Sequence, residues 1–287
     1  MSVGSVTRER PSASQNTYWL LVIPLLAVVA VLYTYPIAKV LWISFTDPAV
    51  GLQNYEKLIT SGTIQRILWT TFRICVVVTL LSLVIGYLVA YAMMNVRDQH
   101  RSWMLMLVLV SFWVSVLVRA FAWLTLLRSN GIINTWMIDL GLIDEPLDLV
   151  RNEFGVLVGM VHYMIPYAVL PLLANMKGID TRLMSASRGL GAGAFETFLR
   201  IYLPLSMPGI IAGGLLVFII SLGFFVTPAI LGGGKVLMIA EYVSVQVLIT
   251  TQWGTASMLA AVLLLTVFGL LLIMSRFVNL NTMFGAR

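Results

Sequence analysis

The sequence predicts an all-α integral membrane protein with six transmembrane helices, and three observations carry this. Of 287 residues, 60% are hydrophobic and only 10% charged, whereas soluble domains carry about a quarter charged residues. Mean hydropathy is +0.95. The apolar residues also gather into six stretches of the length a bilayer-spanning helix needs, about 20 residues: 18–43, 70–94, 103–127, 154–174, 209–231 and 255–278. So few charges cannot cover a soluble surface. This excludes an ordinary soluble enzyme, a disordered protein and a nucleic-acid-binding domain. The net charge of +6 does not point to nucleic acid, because the basic residues are scattered between apolar runs. A basic excess is what the cytoplasmic side of a membrane protein carries.

The elements follow in order. Residues 1–17, with Ser, Thr, Arg and Pro11, read as a polar cytoplasmic tail, and 18–287 as one transmembrane domain. The first span is too long for a signal-peptide core, and Pro36 and Lys39 do not resemble a small-residue cleavage site, so it is read as a retained helix. Small residues at four-residue spacing, Ser82, Gly86 and Ala90 in the second span and Gly209 and Gly213 in the fifth, let helices approach closely in lipid. Connections 44–69, 128–153 and 175–208 are longer than a helical hairpin needs. Segment 131–153, punctuated by Asn-Gly and Glu-Pro, predicts a short helix and loop over the bundle. Gly232, Gly233 and Gly234 precede an amphipathic run over 236–249, read as a short helix at the outer surface.

Lys and Arg set the orientation. With the N-terminus inside, the inner segments hold Arg8, Arg10, Arg97, Arg101, Lys177, Arg182, Arg188, Arg200, Arg276 and Arg287 against the acids Glu9, Asp98, Asp180 and Glu196. The outer side, with the outer halves of the helices, holds Lys39, Lys57, Arg66, Arg73, Arg119, Arg128, Arg151 and Lys235 and the remaining acids, among them Asp139, Asp144, Glu145, Asp148 and Glu153. The short loop with Arg97 and Arg101 weighs most. Both termini are expected in the cytoplasm.

The inner connection, 175–208, is the informative one. Asp180 is a good N-cap for a helix over 181–190. Gly191, Ala192 and Gly193 break it. A second helix over 194–202 is expected to end at Pro204 and Pro208. The product is a compact helix–turn–helix that exposes Ser185, Ala186, Ser187 and Gly189 beside Arg182, Arg188 and Arg200. A small, smooth helix with a basic rim suits a groove on another protein.

The run Ser185-Ala186-Ser187-Arg188-Gly189-Leu190-Gly191, then nine residues, then Ile201-Tyr202-Leu203-Pro204, resembles the cytoplasmic motif of binding-protein-dependent ABC transporter permeases. That pattern is Glu-Ala-Ala, three residues, Gly, nine residues, Ile-x-Leu-Pro. Ala186, Gly191, Ile201, Leu203 and Pro204 fall in register; Ser185 replaces the acid and Ser187 the second Ala. Residues 118–123 (VRAFAW), 130–134 (NGIIN) and 224–233 (FFVTPAILGG) are similar to permeases of spermidine/putrescine type. The resemblance covers about residues 60 to 275. It implies a type I ABC importer permease fold in a bacterial inner membrane, paired with a second permease subunit that is a different chain. It further implies two ABC ATPase subunits, which bind the ATP and magnesium, and an extracytoplasmic solute-binding protein. This chain would bind no cofactor. Contact with the ATPase would fall to Arg182, Ser185, Ala186, Ser187, Arg188, Gly189, Leu190, Gly191, Ile201, Leu203 and Pro204. The implied cargo is a polyamine such as spermidine or putrescine. The same machinery also serves organic or inorganic anions, opine-like compounds and iron.

The residues themselves add limits. Gly232-Gly233-Gly234-Lys235 looks like a phosphate loop but fails as one: Val236 stands where Ser or Thr is needed and Ala229 where the leading Gly belongs. No Cys or His spacing suggests a metal, and Cys75 cannot form an internal disulfide. Trp113, Trp123, Tyr163, Tyr167, Phe224 and Phe225 are candidate pathway aromatics, able to hold an amine by cation–π attraction. Thr227 lies where the fifth span is expected to break. Arg119 has two readings: a snorkelling residue or partner of Glu145 or Asp148, or a residue at the outer mouth of the pathway, where it would favour an anion. Glu241 could neutralise it. His162 reads as a hydrogen-bonded bundle residue. An ion-driven secondary transporter would need acids inside the spans, and a membrane enzyme a cluster of acids, His or Cys. Neither pattern is found.

Overall fold

The computed structural model describes residues 15–277, so residues 1–14 of the expected tail lie outside it, and Gln15 already begins a helix. Every regular element among the described residues is helical. In chain order they are α1 (Gln15–Val29), a π-helical turn (Ala30–Thr34), α2 (Tyr35–Thr46), α3 (Gln53–Thr60), α4 (Gly62–Asn95), α5 (Asp98–Trp113), α6 (Val116–Leu127), α7 (Ile132–Asp139), α8 (Glu153–Lys177), α9 (Arg182–Gly189) and α10 (Ala194–Thr197). A second π-helical turn (Phe198–Tyr202) follows, then α11 (Leu203–Leu222), α12 (Val226–Leu231), α13 (Ile239–Leu248) and α14 (Trp253–Phe277). Six stretches are long and apolar enough to cross a membrane: Val22–Thr46, Gly62–Asn95, Val116–Asp139, Glu153–Lys177, Ala194–Leu222 and Trp253–Ile273.

The core is built from α4, α8 and α11. Ile74, Cys75 and Val78 of α4 pack with Val156, Met160, Met164 and Ala168 of α8 and with Val217 of α11, all fully buried. Small residues set the approach, as the four-residue spacing predicts. A Cβ on Gly86 would lie 2.8 Å from the Ala168 Cβ, and one on Gly213 would lie 3.3 Å from the Ala168 carbonyl oxygen. Neither can shift without moving a helix. Gly86→Leu is therefore expected to destabilise the bundle by at least about 1–3 kcal/mol through overpacking. A lowered unfolding midpoint in detergent checks this. By contrast, the first span has large apolar side chains exposed along its length, including Leu25, Leu32 and Trp42, as a lipid-facing helix does. α14 packs on α2, and the Asp47 carboxylate ties the two by accepting the Gly254 N–H at 2.7 Å.

Four expectations are corrected. The outer connection at 44–69 is mostly helical: α3 fills part of it, and α4 starts at Gly62, where the Ser61 side chain caps it by accepting from the Ile64 N–H. With 34 residues, α4 runs about 50 Å and stands beyond a bilayer core. The third span is not one helix over 103–127. It breaks at Val114 and Ser115, and apolar periodicity cannot reveal such a break because both flanks are equally greasy. The fifth span is not 209–231, and Pro204 and Pro208 do not end the elbow's second helix. Helix continues from Ala194 to Leu222. Pro204 sits in the first turn of α11, directly after the π-helical turn. Its missing N–H is absorbed where the hydrogen-bond ladder is already changing step. The real break comes later, at Gly223–Phe225, before α12.

Candidate functional site

Two places concentrate features that simple packing does not need: the elbow between α8 and α11, and a pair of facing helix breaks.

In the elbow, the Asp180 carboxylate accepts the Arg182 N–H at 2.9 Å, and α9 follows over Arg182–Gly189. Its end is a Schellman motif. The Ala192 N–H donates to the Ser187 carbonyl and the Gly191 N–H to the Arg188 carbonyl, with Gly191 at φ +92°. Only glycine takes that backbone without strain, so the residue type follows from the turn. The Ser187 hydroxyl then bonds the Thr197 hydroxyl at 3.0 Å in the interior and pins α9 to α10. Arg200 and Glu196 pair at 2.8 Å. What remains outside is apolar where water would be expected: Leu190 is 90% exposed, Phe195 75% and Leu183 46%. Ala186, Leu190, Ala192 and Ile201 line a shallow groove with Leu183. Beneath α9 lies a cavity of about 210 Å³ bordered by Tyr91, Met184, Arg188, Phe198 and Tyr202. An exposed apolar knuckle of this kind marks a contact surface.

The second place is where the break at Val114–Ser115 is linked to the break at Gly223–Phe225 through Arg119 and Tyr163. A broken helix leaves carbonyls unpaired, and Arg119 supplies the missing donors. Its guanidinium donates to the Val114 carbonyl at 2.8 Å and to the Ser111 hydroxyl at 3.3 Å. The same guanidinium lies 4.5 Å from the Tyr163 ring centroid, within cation–π range. Tyr163 in turn touches Phe224, with centroids 4.6 Å apart, and Tyr167, whose hydroxyl is 3.4 Å from its own. Phe112 closes the group edge-on against Tyr167. Trp123 donates its indole N–H to His162 Nδ1 at 3.0 Å.

Residues 82–279 match the family described as the inner membrane component of binding-protein-dependent transport systems. The chain belongs to that family. The permease is 35% identical over 208 residues, 72% of either chain, to the spermidine/putrescine transport system permease protein PotB of Haemophilus influenzae. It is 34% identical over 232 residues to PotB of Escherichia coli K12, covering 80% of this chain and 83% of that one. Its fold matches a chain of a bacterial alginate ABC transporter in complex with an alginate pentasaccharide-bound periplasmic protein. There the TM-score is 0.73 at 18% identity, over 93% of this chain and 96% of the other. The permease is a multi-pass inner membrane protein with an ABC importer permease fold.

Of the pathway residues that the permease's sequence suggests, the structure gathers Arg119, Tyr163, Tyr167 and Phe224, with Trp123 beside them through His162. It does not gather the rest. Trp113 ends α5 with 89% of its surface exposed. Phe225 is 41% exposed, and Thr227 is buried against Gly159. Glu241 sits on α13, which packs against α14, α4 and α12, and no ion pair joins it to Arg119 among the described residues. Neither Glu145 nor Asp148 pairs with Arg119; the break carbonyl takes that role. His162 is hydrogen-bonded within the bundle, as expected. Sequence reasoning missed Phe112, Phe195 and Thr197. A large apolar residue at 195, inside a polar connection, was the available signal.

Glu241 is buried, and its Oε2 has no hydrogen-bond partner. Burial pushes its carboxyl up from the usual range to about 7. A raised folded-state value means the folded permease holds this proton more tightly than the unfolded chain. The stabilisation is full below about pH 4.5 and is lost as pH rises through about 7. Glu241→Gln is thus expected to unfold at a higher temperature than the unsubstituted permease at pH 8, with the gap closing at pH 5. Equal pH profiles would contradict it.

Proposed function

We propose that this permease forms half of the solute pathway of an importer for polyamines such as spermidine or putrescine. A second permease chain supplies the other half, two ABC ATPase subunits hold the ATP and magnesium, and a solute-binding protein delivers the cargo from outside. Identity of 34–35% to PotB proteins over most of the chain carries this reading. Both termini lie in the cytoplasm, supported by the arginines of the 96–101 loop and the elbow.

In this reading the elbow is the handle. The exposed face of α9, with Arg182, Ser185, Ala186, Arg188 and Leu190, seats in a groove of the ATPase. Ser187, Gly191, Ile201, Leu203 and Pro204 keep that face in register with the bundle. When the ATPase pair closes on ATP, α9 is drawn with it. The pull passes through the Schellman turn into the unbroken helix from Ala194 to Leu222, whose far end is the break beside Arg119 and Phe224. The pathway opens outward, and hydrolysis resets it. Nucleotide can bias this switch only through the different affinity of the ATPase pair for the two states.

One observation favours a second cargo class. Arg119 lies over the Tyr163 ring and makes no ion pair among the described residues, an arrangement that suits an anion better than a polycation. Proteoliposomes holding both permease chains and the ATPase, supplied with the binding protein, decide the matter. The proposal expects ATP-dependent uptake of labelled spermidine that excess putrescine competes away. Uptake competed by an organic anion and indifferent to polyamines would replace the cargo while leaving the importer reading intact.

A further inference from the structure

The cavity of about 210 Å³ beneath α9 has an apolar floor and a polar rim. Tyr91, near the end of α4, stands edge-on to Phe198 and to Tyr202, with centroids 5.6 and 5.2 Å apart. These three rings form one wall, and Met94, Met176 and Met184 supply thioethers to the rest. Met176 and Tyr202 are buried, whereas Asn95, Ser185 and Arg188 are exposed.

Arg188 is the only charged residue of the lining. Among the described residues, its side chain makes no ion pair or hydrogen bond, whereas Arg101 and Arg200 pair with Asp98 and Glu196. An acid three residues earlier on the same helix would reach it, and that position is Ser185. The cavity therefore presents one unanswered positive charge above a floor of rings and sulfur. A cation is repelled there, so the cavity does not serve a polyamine cargo. Its size exceeds that of a cavity of about 150 Å³ that takes benzene, which leaves room for a ring with one small substituent. Ring edges and thioethers suit a flat aromatic body, and a guanidinium suits a carboxylate.

We propose that this cavity binds a small aromatic carboxylate, its ring against Tyr91, Phe198 and Tyr202 and its acid on Arg188, and that the bound acid holds back transport. The ligand touches the end of α4, the end of α8 and both arms of the elbow at once. It therefore ties α9 to the bundle and favours the state in which they stand at their present separation. It also occupies a cation of the face assigned above to the ATPase. The effect on transport rests on the importer reading; the binding does not.

The test uses the assembled transporter in detergent with three probes that share one ring: benzoate, benzylamine and benzyl alcohol. Benzoate is expected to raise the unfolding midpoint in a saturable way, with benzylamine inert and benzyl alcohol weaker. Arg188→Gln removes the charge, and Ser185→Glu keeps the arginine but pairs it. Each is expected to raise the half-saturating benzoate concentration by about tenfold or more, as loss of a charge-assisted hydrogen bond does. The comparison of benzoate with benzylamine needs no variant, so a substitution that misfolds does not spare the proposal. Probes that act alike, a shift that never saturates, or folded variants with unchanged affinity overturn the site. In proteoliposomes, benzoate at half-saturation is expected to lower ATP-driven spermidine uptake by about half. Saturable binding with unchanged uptake overturns the restraint on transport alone. An unsubstituted transporter that moves no solute with ATP overturns the importer reading and that restraint, while the binding result stands.

Discussion

Replacing Gly191 with valine is expected to cut ATP-driven uptake by about tenfold or more while the six-span bundle stays folded. Gly191 stands at φ +92° with open space around the position of a Cβ, so the penalty is not a clash with a neighbour. It is the backbone itself, about 1–2 kcal/mol for an ordinary residue in the left-handed region and more for a β-branched one. The Schellman turn relieves that strain by opening. Opening it frees the Ser187 and Arg188 carbonyls that now accept from Ala192 and Gly191, and α9 loses its fixed angle to α10. Each 1.4 kcal/mol of lost alignment is worth about tenfold in rate. The bundle itself is spared because its core lies in α4, α8 and the membrane part of α11. Uptake in proteoliposomes and the unfolding midpoint in detergent separate the two effects. A variant that transports normally would mean that the elbow's shape does not matter for coupling.

Arg119→Ala is expected to destabilise the permease by about 1–2.5 kcal/mol. The Val114 carbonyl loses its donor; that hydrogen bond is exposed, so its loss costs about 0.5–1.5 kcal/mol, and the cation–π contact with Tyr163 contributes about 0.5–1 kcal/mol more. A double-mutant cycle with Tyr163→Leu isolates the second part. The two substitutions are expected to be non-additive by about 0.5–2 kcal/mol. Additive effects would show that the stack over Tyr163 is incidental. Because Tyr163 also touches Phe224 at the second break, loss of Arg119 is expected to loosen both breaks together and to lower uptake with them.

Much of this architecture is legible from composition and period. Six greasy segments of bilayer length, small residues on helix faces and arginines in short loops are strong signals, because lipid permits few alternatives. The elbow is legible for another reason: Asp180, Gly191 and the following helix each have a local backbone cause. The helix breaks are not. Val114–Ser115 and Gly223–Phe225 interrupt apolar runs without changing their hydropathy, and the donor that makes the first break tolerable sits five residues away on Arg119. A lone arginine in a greasy run looks like a partner for loop acids, yet the tertiary structure gives it a carbonyl and a ring. Pro204 misleads in the opposite direction. It looks like a stop but is accommodated by the π-helical turn before it, which no residue pattern announces.

We propose that this permease is moved by a neighbouring ATPase gripping α9. A single cysteine placed at Ala186, on the exposed face of α9 (the native Cys75 is buried), tests it directly in the assembled transporter. Ala186→Cys is expected to be captured by a short bifunctional cross-linker on the ATPase subunit, capture to lock uptake, and Ser129→Cys, in the connection between α6 and α7, never to be captured there. An Ala186→Cys that stays free of the ATPase in a transporter still driving uptake would contradict it.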